Sequence, residues 1–179
     1  MSQMFNSPSK PFYQSAITTD LKPLDKAVYV GFASQLFEKY GKHISAELIE
    51  KVYDDYEGVT WFMQMLLNEL FALTEKSQNC GLELYPTALK NVIQTQESSY
   101  KDMLSNISAK QKPVLFAIAK QSEAVNMTSI KFLKENNLGS SSSVQAALKG
   151  LLEKDIITRT EKGYKVYDYF FAEWLRQNY

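Results

Sequence analysis

Residues 136–157, NNLGSSSSVQAALKGLLEKDII, decide how the last third of the chain folds. Four serines after Gly139 have the composition of a flexible linker. The residues after them do not. Val144, Ala147, Leu148, Leu151 and Leu152 recur at the three-and-four spacing of one buried helical stripe. A serine hydroxyl just ahead of such a stripe accepts from the free backbone N–H groups of the first turn. The serines therefore start a helix, and Asn137 and Gly139 make the turn before it. The outward face of that helix carries Ser142, Gln145, Ala146 and Lys149.

The flanking segments extend the pattern. Upstream, Ser108 and Gln111 in SAKQ have the spacing of a capping box and open a helix buried through Val114, Leu115, Ile118 and Ala119. A short helix, TSIKFLKEN, is expected to bury Ile130 and Leu133. Downstream, Ile156–Thr158 and Tyr164–Tyr167 flank Lys162-Gly163 and predict a β-hairpin with a short basic tip. Helix, short helix, turn, helix and hairpin, in that order, make a winged helix. A last amphipathic helix runs from Phe170 to Arg176.

The first hundred residues differ in character. Up to about Leu24, Pro8, Pro11 and Pro23 punctuate a segment with no helical period, which predicts an extended connector. Its Phe12-Tyr13 pair is expected to pack on something outside the chain. From Asp25, Val28, Tyr29, Phe32, Ala33, Leu36, Phe37 and Tyr40 predict one buried stripe ending at Gly41. Ser45 caps a second helix buried through Leu48, Ile49, Val52, Tyr53 and Tyr56. The helix from about Thr60 is apolar on nearly every side, the mark of a central helix. Glu75–Gly81 is expected to be a loop. A long pattern from Pro86 buries Leu89, Ile93, Tyr100, Leu104 and Ile107, with a break expected near its middle.

Composition narrows the chemistry. The chain has 179 residues, 45% of them hydrophobic, enough for a core of one or two small domains. One cysteine, Cys80, leaves no disulfide framework and suits a reducing cytoplasm. The lone histidine, His43, sits in the polar GKHIS turn, so neither a zinc site nor a histidine-activated serine is expected. Asp54 and Asp55 are adjacent on a helix, face apart, and belong to the solvated surface. No GxxxxGK[ST] phosphate loop is present. Catalytic, cofactor-binding and metal-ligating residues are thus all expected to be absent. Residues 1–100 carry 8 Lys against 12 Asp and Glu, and residues 101–179 carry 12 Lys and Arg against 8 acids. A basic half favours nucleic acid or an acidic protein surface.

Six segments carry a family resemblance: MFNSPSKPFYQSA, LKPL, YEGVTWFMQMLLNEL, ISAKQKPVLFAIA, SSSVQAALKGLLEKDII and YKVYDYFFAEWLR. In that order they resemble the C-terminal region of archaeal-type P-loop ATPases, an AAA+/STAND-like group well represented in Bacteroides-type bacteria. The resemblance implies a mainly α chain with three parts. These are a connector from a missing ATPase core (1–22), a helical lid subdomain (23–107) and a winged-helix domain with a small hairpin wing (108–179). It implies ATP and magnesium for an intact protein and none for this chain, whose ATPase core with both Walker motifs would precede Met1. Two departures bear on nucleotide sensing. Val59-Thr60-Trp61 has no arginine where such lids place one at the central helix, and PFYQS has none after its aromatic pair.

The expected function is regulatory and non-catalytic: a lid and winged helix relaying nucleotide state to the protein's own core, another protein or DNA. The candidate contact residues are Ser140, Ser141, Ser142, Gln145 and Lys149 on the helix, with Arg159, Lys162 and Lys165 on the wing. Small polar residues at a helix N-terminus fit a major groove, and cations meet phosphates. The rivals are a stand-alone winged-helix DNA-binding transcriptional regulator with a helical dimerisation domain, and a protein-interaction adaptor. Each is compatible with a cytoplasmic chain that has no membrane segment and can form oligomers.

Overall fold

Asp25 accepts from the N–H of Val28 and so starts α1, Lys26–Lys39. The computed structural model describes residues 22–179. The connector expected over 1–22, with Phe12 and Tyr13, lies outside the described residues except for Lys22. After α1 come β1 (His43–Ile44), α2 (Ala46–Asp55), α3 (Thr60–Leu73), β2 (Asn79–Cys80), a 3-10 turn (Leu82–Leu84) and α4 (Tyr85–Ser105). The winged-helix part comprises α5 (Lys112–Ala119), α6 (Ile130–Glu135), α7 (Ser141–Glu153), β3 (Ile157–Arg159), β4 (Tyr164–Val166) and α8 (Tyr169–Asn178).

The helical part is built around α3, whose Phe62, Met63, Leu66, Leu67 and Leu70 are buried. It packs on α2 and lies along α4. Ser45 caps α2 through the N–H of Leu48, as its sequence predicts. β1 and β2 pair in parallel, His43 with Asn79 and Ile44 with Cys80. The stretch expected to be a loop thus ends in a strand, and the His43 turn is one half of a tiny sheet. Two-residue strands are too short to leave a period in the sequence. α4 runs unbroken for 21 residues, and the break expected in it does not occur. Ala88, Val92, Ile93, Tyr100 and Leu104 form its buried stripe, while the buried Ile107 lies beyond its end.

The stripe expected on α1 is half right. Tyr29, Ala33 and Phe37 are buried, but Val28, Phe32, Leu36 and Tyr40 are exposed. α1 is apolar over more of its circumference than one contact can cover, so periodicity alone could not say which side faces in.

In the winged-helix part α5 begins at Lys112, with the Gln111 side chain accepting from the Ser108 N–H as in a capping box. α6 is capped by Ser129 and buries Phe132; Ile130, expected inside, is 74% exposed at its first turn. Asn137 takes the left-handed turn conformation, φ 51°, ahead of α7. β3 and β4 form an antiparallel hairpin that pairs Ile157 with Val166 and Arg159 with Tyr164. Ala124 bridges to Tyr164 on its other side, and the Ala124 carbonyl occupies the space a Cβ on Gly163 would need.

One core runs through both parts. Helix α8 makes it continuous by packing against α4 as well as α5. Phe170 and Phe171 are fully buried, and burying each such ring is worth about 1.5–3 kcal/mol. Phe170 meets Tyr56 and Phe62 with ring centroids 5.2 and 5.5 Å apart, and Phe171 meets Tyr100 at 5.3 Å.

Candidate functional site

The N-terminus of α7 and the wing carry the residues proposed from sequence. Ser140 is the N-cap: its Oγ accepts from the Ser143 N–H at 3.3 Å and lies 2.9 Å from Ser142 Oγ. Ser141 is the first helical residue and half-buried. Val144, Ala147, Leu148 and Leu151 face inward, leaving Ser142, Gln145, Ala146 and Lys149 exposed in a row, as their spacing predicts. Gly150 lets α7 approach the amide of Gln111, just ahead of α5, more closely than a side chain would allow. Lys149 has a loose partner one turn on, Glu153 at 3.9 Å.

The wing is placed as expected, but its charges are not. Arg159 donates to Tyr164 Oη at 3.2 Å and lies over that ring. Lys162 sits at the exposed tip beside Glu161. Thr160 bonds to Glu123 and accepts from the Gly163 N–H, which ties the tip to the segment before α6. Lys165 does not face outward with Arg159 and Lys162. Its ammonium donates to Glu57 at 2.5 Å and Tyr169 Oη at 3.0 Å, and the side chain is 20% exposed. Burial lowers the Lys165 pKa, but the bonds to Glu57 and Tyr169 outweigh it and leave the value raised. Glu57 carries no signal of this role in the sequence. It sits at φ 52° in the turn before α3, beside Gly58 at φ 71°. Its carboxylate and those of Glu123 and Glu161 line one hollow with Lys162 and Lys165. The tip expected to be basic is therefore balanced by acids.

A second cleft, of about 440 Å³, lies where α2 and α4 meet α8 and includes Asp55, Tyr56, Tyr85, Tyr169 and Arg176. Tyr85 Oη donates to Asp55 at 2.5 Å, and Lys51 pairs with the same carboxylate oxygen at 2.8 Å. Burial first, then the phenol of Tyr56, pushes the Tyr85 hydroxyl far above its ordinary range. Asp54 pairs with Lys26 at 2.7 Å. The acidic pair thus holds α2 to α1 and α4. Among the described residues no group of three His, Cys, Asp or Glu is placed to hold a metal ion. Among the same residues no helix is long and apolar enough to cross a membrane.

This architecture has known relatives. Residues 98–177 match the family described as "Probable winged helix domain", which begins within α4 and reaches almost to the end of α8. The C-terminal part is a winged-helix domain. The chain is similar in structure to a Walker-type ATPase of Pyrococcus abyssi, with a TM-score of 0.64 over 95% of its length and 18% sequence identity. At that identity the likeness shows a shared fold. The chain spans about half of that ATPase's length, 47%. No curated protein matches the sequence significantly.

Proposed function

We propose that this chain is the lid and winged-helix region of an ATPase-like protein of the AAA+/STAND-like kind, regulatory and non-catalytic by itself. One observation carries the reading: a single architecture, helical part joined to winged helix, is shared over 95% of the chain with a Walker-type ATPase. The packing supports a relay. α8 inserts Phe170 and Phe171 between the two parts, so a displacement of the helical part would carry the winged helix with it. In this reading ATP and magnesium bind a nucleotide core, residues 1–22 connect that core to the lid, and the winged helix contacts a protein. Two features favour a protein over DNA: Lys165 is held by Glu57, and carboxylates surround the wing tip.

The test is calorimetric titration of the chain with ATP and magnesium. No binding is expected; micromolar binding would overturn the reading of the helix from Thr60 as a lid helix without a nucleotide sensor. The alternative, a stand-alone DNA-binding regulator, draws on the exposed polar row Ser142, Gln145 and Lys149 at the start of α7. Duplex DNA titrations decide between the two.

A further inference from the structure

The turn between α2 and α3, residues 56–59, touches two distant segments of the chain at once. Glu57 and Gly58 both take left-handed backbone angles, φ 52° and 71°. Glycine adopts that conformation freely and glutamate rarely. A side chain kept there is held by something outside its own backbone. For Glu57 it is Lys165, whose ammonium donates to its carboxylate at 2.5 Å across to the wing. Lys165 is fixed in turn by Tyr169 Oη at 3.0 Å, and Tyr56 lies edge-on to the Tyr169 ring at 5.6 Å. The other side of the turn meets the segment that enters α1. A Cβ on Gly58 would stand 2.7 Å from Pro23 Cβ and 2.8 Å from Tyr53 Oη, so the backbone closes directly onto both. Tyr53 Oη donates to the Leu24 carbonyl at 2.6 Å, and Lys26 pairs with Asp54 at 2.7 Å. Pro23, Leu24 and Lys26 are thus fastened to the end of α2 and its turn.

We infer that this turn couples the entry segment at Pro23 and Leu24 to the wing. Displacing the entry segment displaces Gly58, which carries the neighbouring Glu57 with it and strains the bond to Lys165. That ion pair is either made or broken, so the turn supplies the two states that coupling between separated sites requires. The route is distinct from the α8 contacts of Phe170 and Phe171, because it reaches the wing strand itself. Glutamate at a left-handed position is explained by this role: glycine would suit the backbone better but could not hold Lys165. The coupling rests on the relay reading for its use. It is nonetheless a property of this chain alone, with no nucleotide core, so it is tested separately from ATP binding.

The experiment is amide hydrogen exchange on the full chain. The amides of Thr160 and Tyr164, bonded to the Gly163 and Ala124 carbonyls, report opening of the wing. Those of Leu66 and Leu67, in buried α3, report global stability. Glu57→Gln removes the charge and is expected to speed exchange in the wing roughly two- to five-fold, the range of a single ion pair. Glu57→Gly, which relieves the backbone, should speed it as much. Tyr53→Phe removes only the hydroxyl that holds Leu24 and should speed the wing roughly two-fold, as part of one hydrogen bond is transmitted. Combined with Glu57→Gln it should add nothing, because the connection is already cut. A Glu57→Gly wing as protected as the wild type overturns the inference, and so does a wing that Tyr53→Phe leaves unchanged. Equal effects of Tyr53→Phe with and without the Glu57 carboxylate overturn it as well, since they describe independent sites. So does acceleration that is the same in α3 and in the wing, the signature of a general loss of stability.

Discussion

Lys165 on the wing strand donates to Glu57 in the turn before α3 at 2.5 Å, an ion pair between residues 108 apart in sequence. It fastens the wing to the helical part and removes one of the three wing cations from the outward surface. A phosphate would have to compete with Glu57 for that ammonium, while Glu123 and Glu161 repel it from the tip.

The first expectation concerns nucleic acid. Each phosphate contact contributes about 0.9 to the slope of log affinity against log salt. The outward cations, Lys149, Arg159 and Lys162, cannot supply a steep slope while Lys165 is held. Fluorescence anisotropy with random duplex DNA over a salt series should therefore detect only weak, shallow binding. Lys149→Glu/Lys162→Glu, at two exposed sites, should change it little. A steep slope that this double variant flattens by about two would restore the DNA reading.

Tyr100 provides a test of the core. Its hydroxyl is buried against α8 and has no hydrogen-bond partner among the described residues. Burial holds it un-ionised, its pKa pushed well above the ordinary phenol range. An unpaired buried polar group costs about 1–3 kcal/mol. Tyr100→Phe is expected to keep the ring contacts with Phe171 and Trp174 and to gain roughly 1 kcal/mol. The urea midpoint checks it: a loss of stability would reveal a bonded hydroxyl.

The serines separate cap from contact. Ser140 Oγ accepts from the Ser143 N–H, whereas Ser142 is exposed within the first turn. Ser140→Ala should cost about 1 kcal/mol. Ser142→Ala should cost less than half of that and alter partner binding instead. Equal losses at both positions would contradict the capping geometry.

Legibility tracks the strength of local signals. α7 is readable because a cap, a stripe and a turn agree along one continuous segment, and the outward row Ser142, Gln145 and Lys149 comes from that phase alone. The exposed side of α1 is not readable. Val28 and Phe32 are as apolar as Tyr29 and Ala33, and sequence cannot say which partner a helix face meets. The β1–β2 pair escapes because two residues carry no alternation. Lys165 groups with the outward cations in the sequence because Glu57, its partner, lies in another part of the chain. Contacts between distant segments leave no spacing to find.

Asp168 makes stability depend on pH. It caps α8, accepting from the Phe171 N–H at 2.9 Å. Burial raises its carboxyl pKa above the ordinary value of 3.8, more than the backbone donors lower it. A raised acid favours folding when protonated. Its contribution is full below the unfolded value and is lost as pH rises through the folded one. Asparagine caps as well as aspartate and carries no charge. Asp168→Asn should therefore match the wild type near pH 3 and become the more stable of the two by pH 7. A wild type that gains on the variant with rising pH would show that the backbone donors outweigh burial.

Phe171 decides whether the two parts move as one body. It is fully buried on α8, 5.3 Å from Tyr100 of α4 by ring centroid, and 5.9 Å from Trp174. If α8 belongs to the core of both parts, they unfold together, and a single cooperative transition is the expected result. Phe171→Ala should cost about 3–5 kcal/mol, a large share of the roughly 5–15 kcal/mol that holds a domain folded. The loss should appear equally in the helical part and in the winged helix. Trp61 reports on α3 and Trp174 on α8, so each can be followed in the background of the other's Trp→Phe variant. Coincident urea transitions, shifted together by Phe171→Ala, are expected. Two separate transitions, with only the Trp174 signal shifted, would mean that the winged helix folds alone and that no rigid connection carries movement from the helical part to the wing.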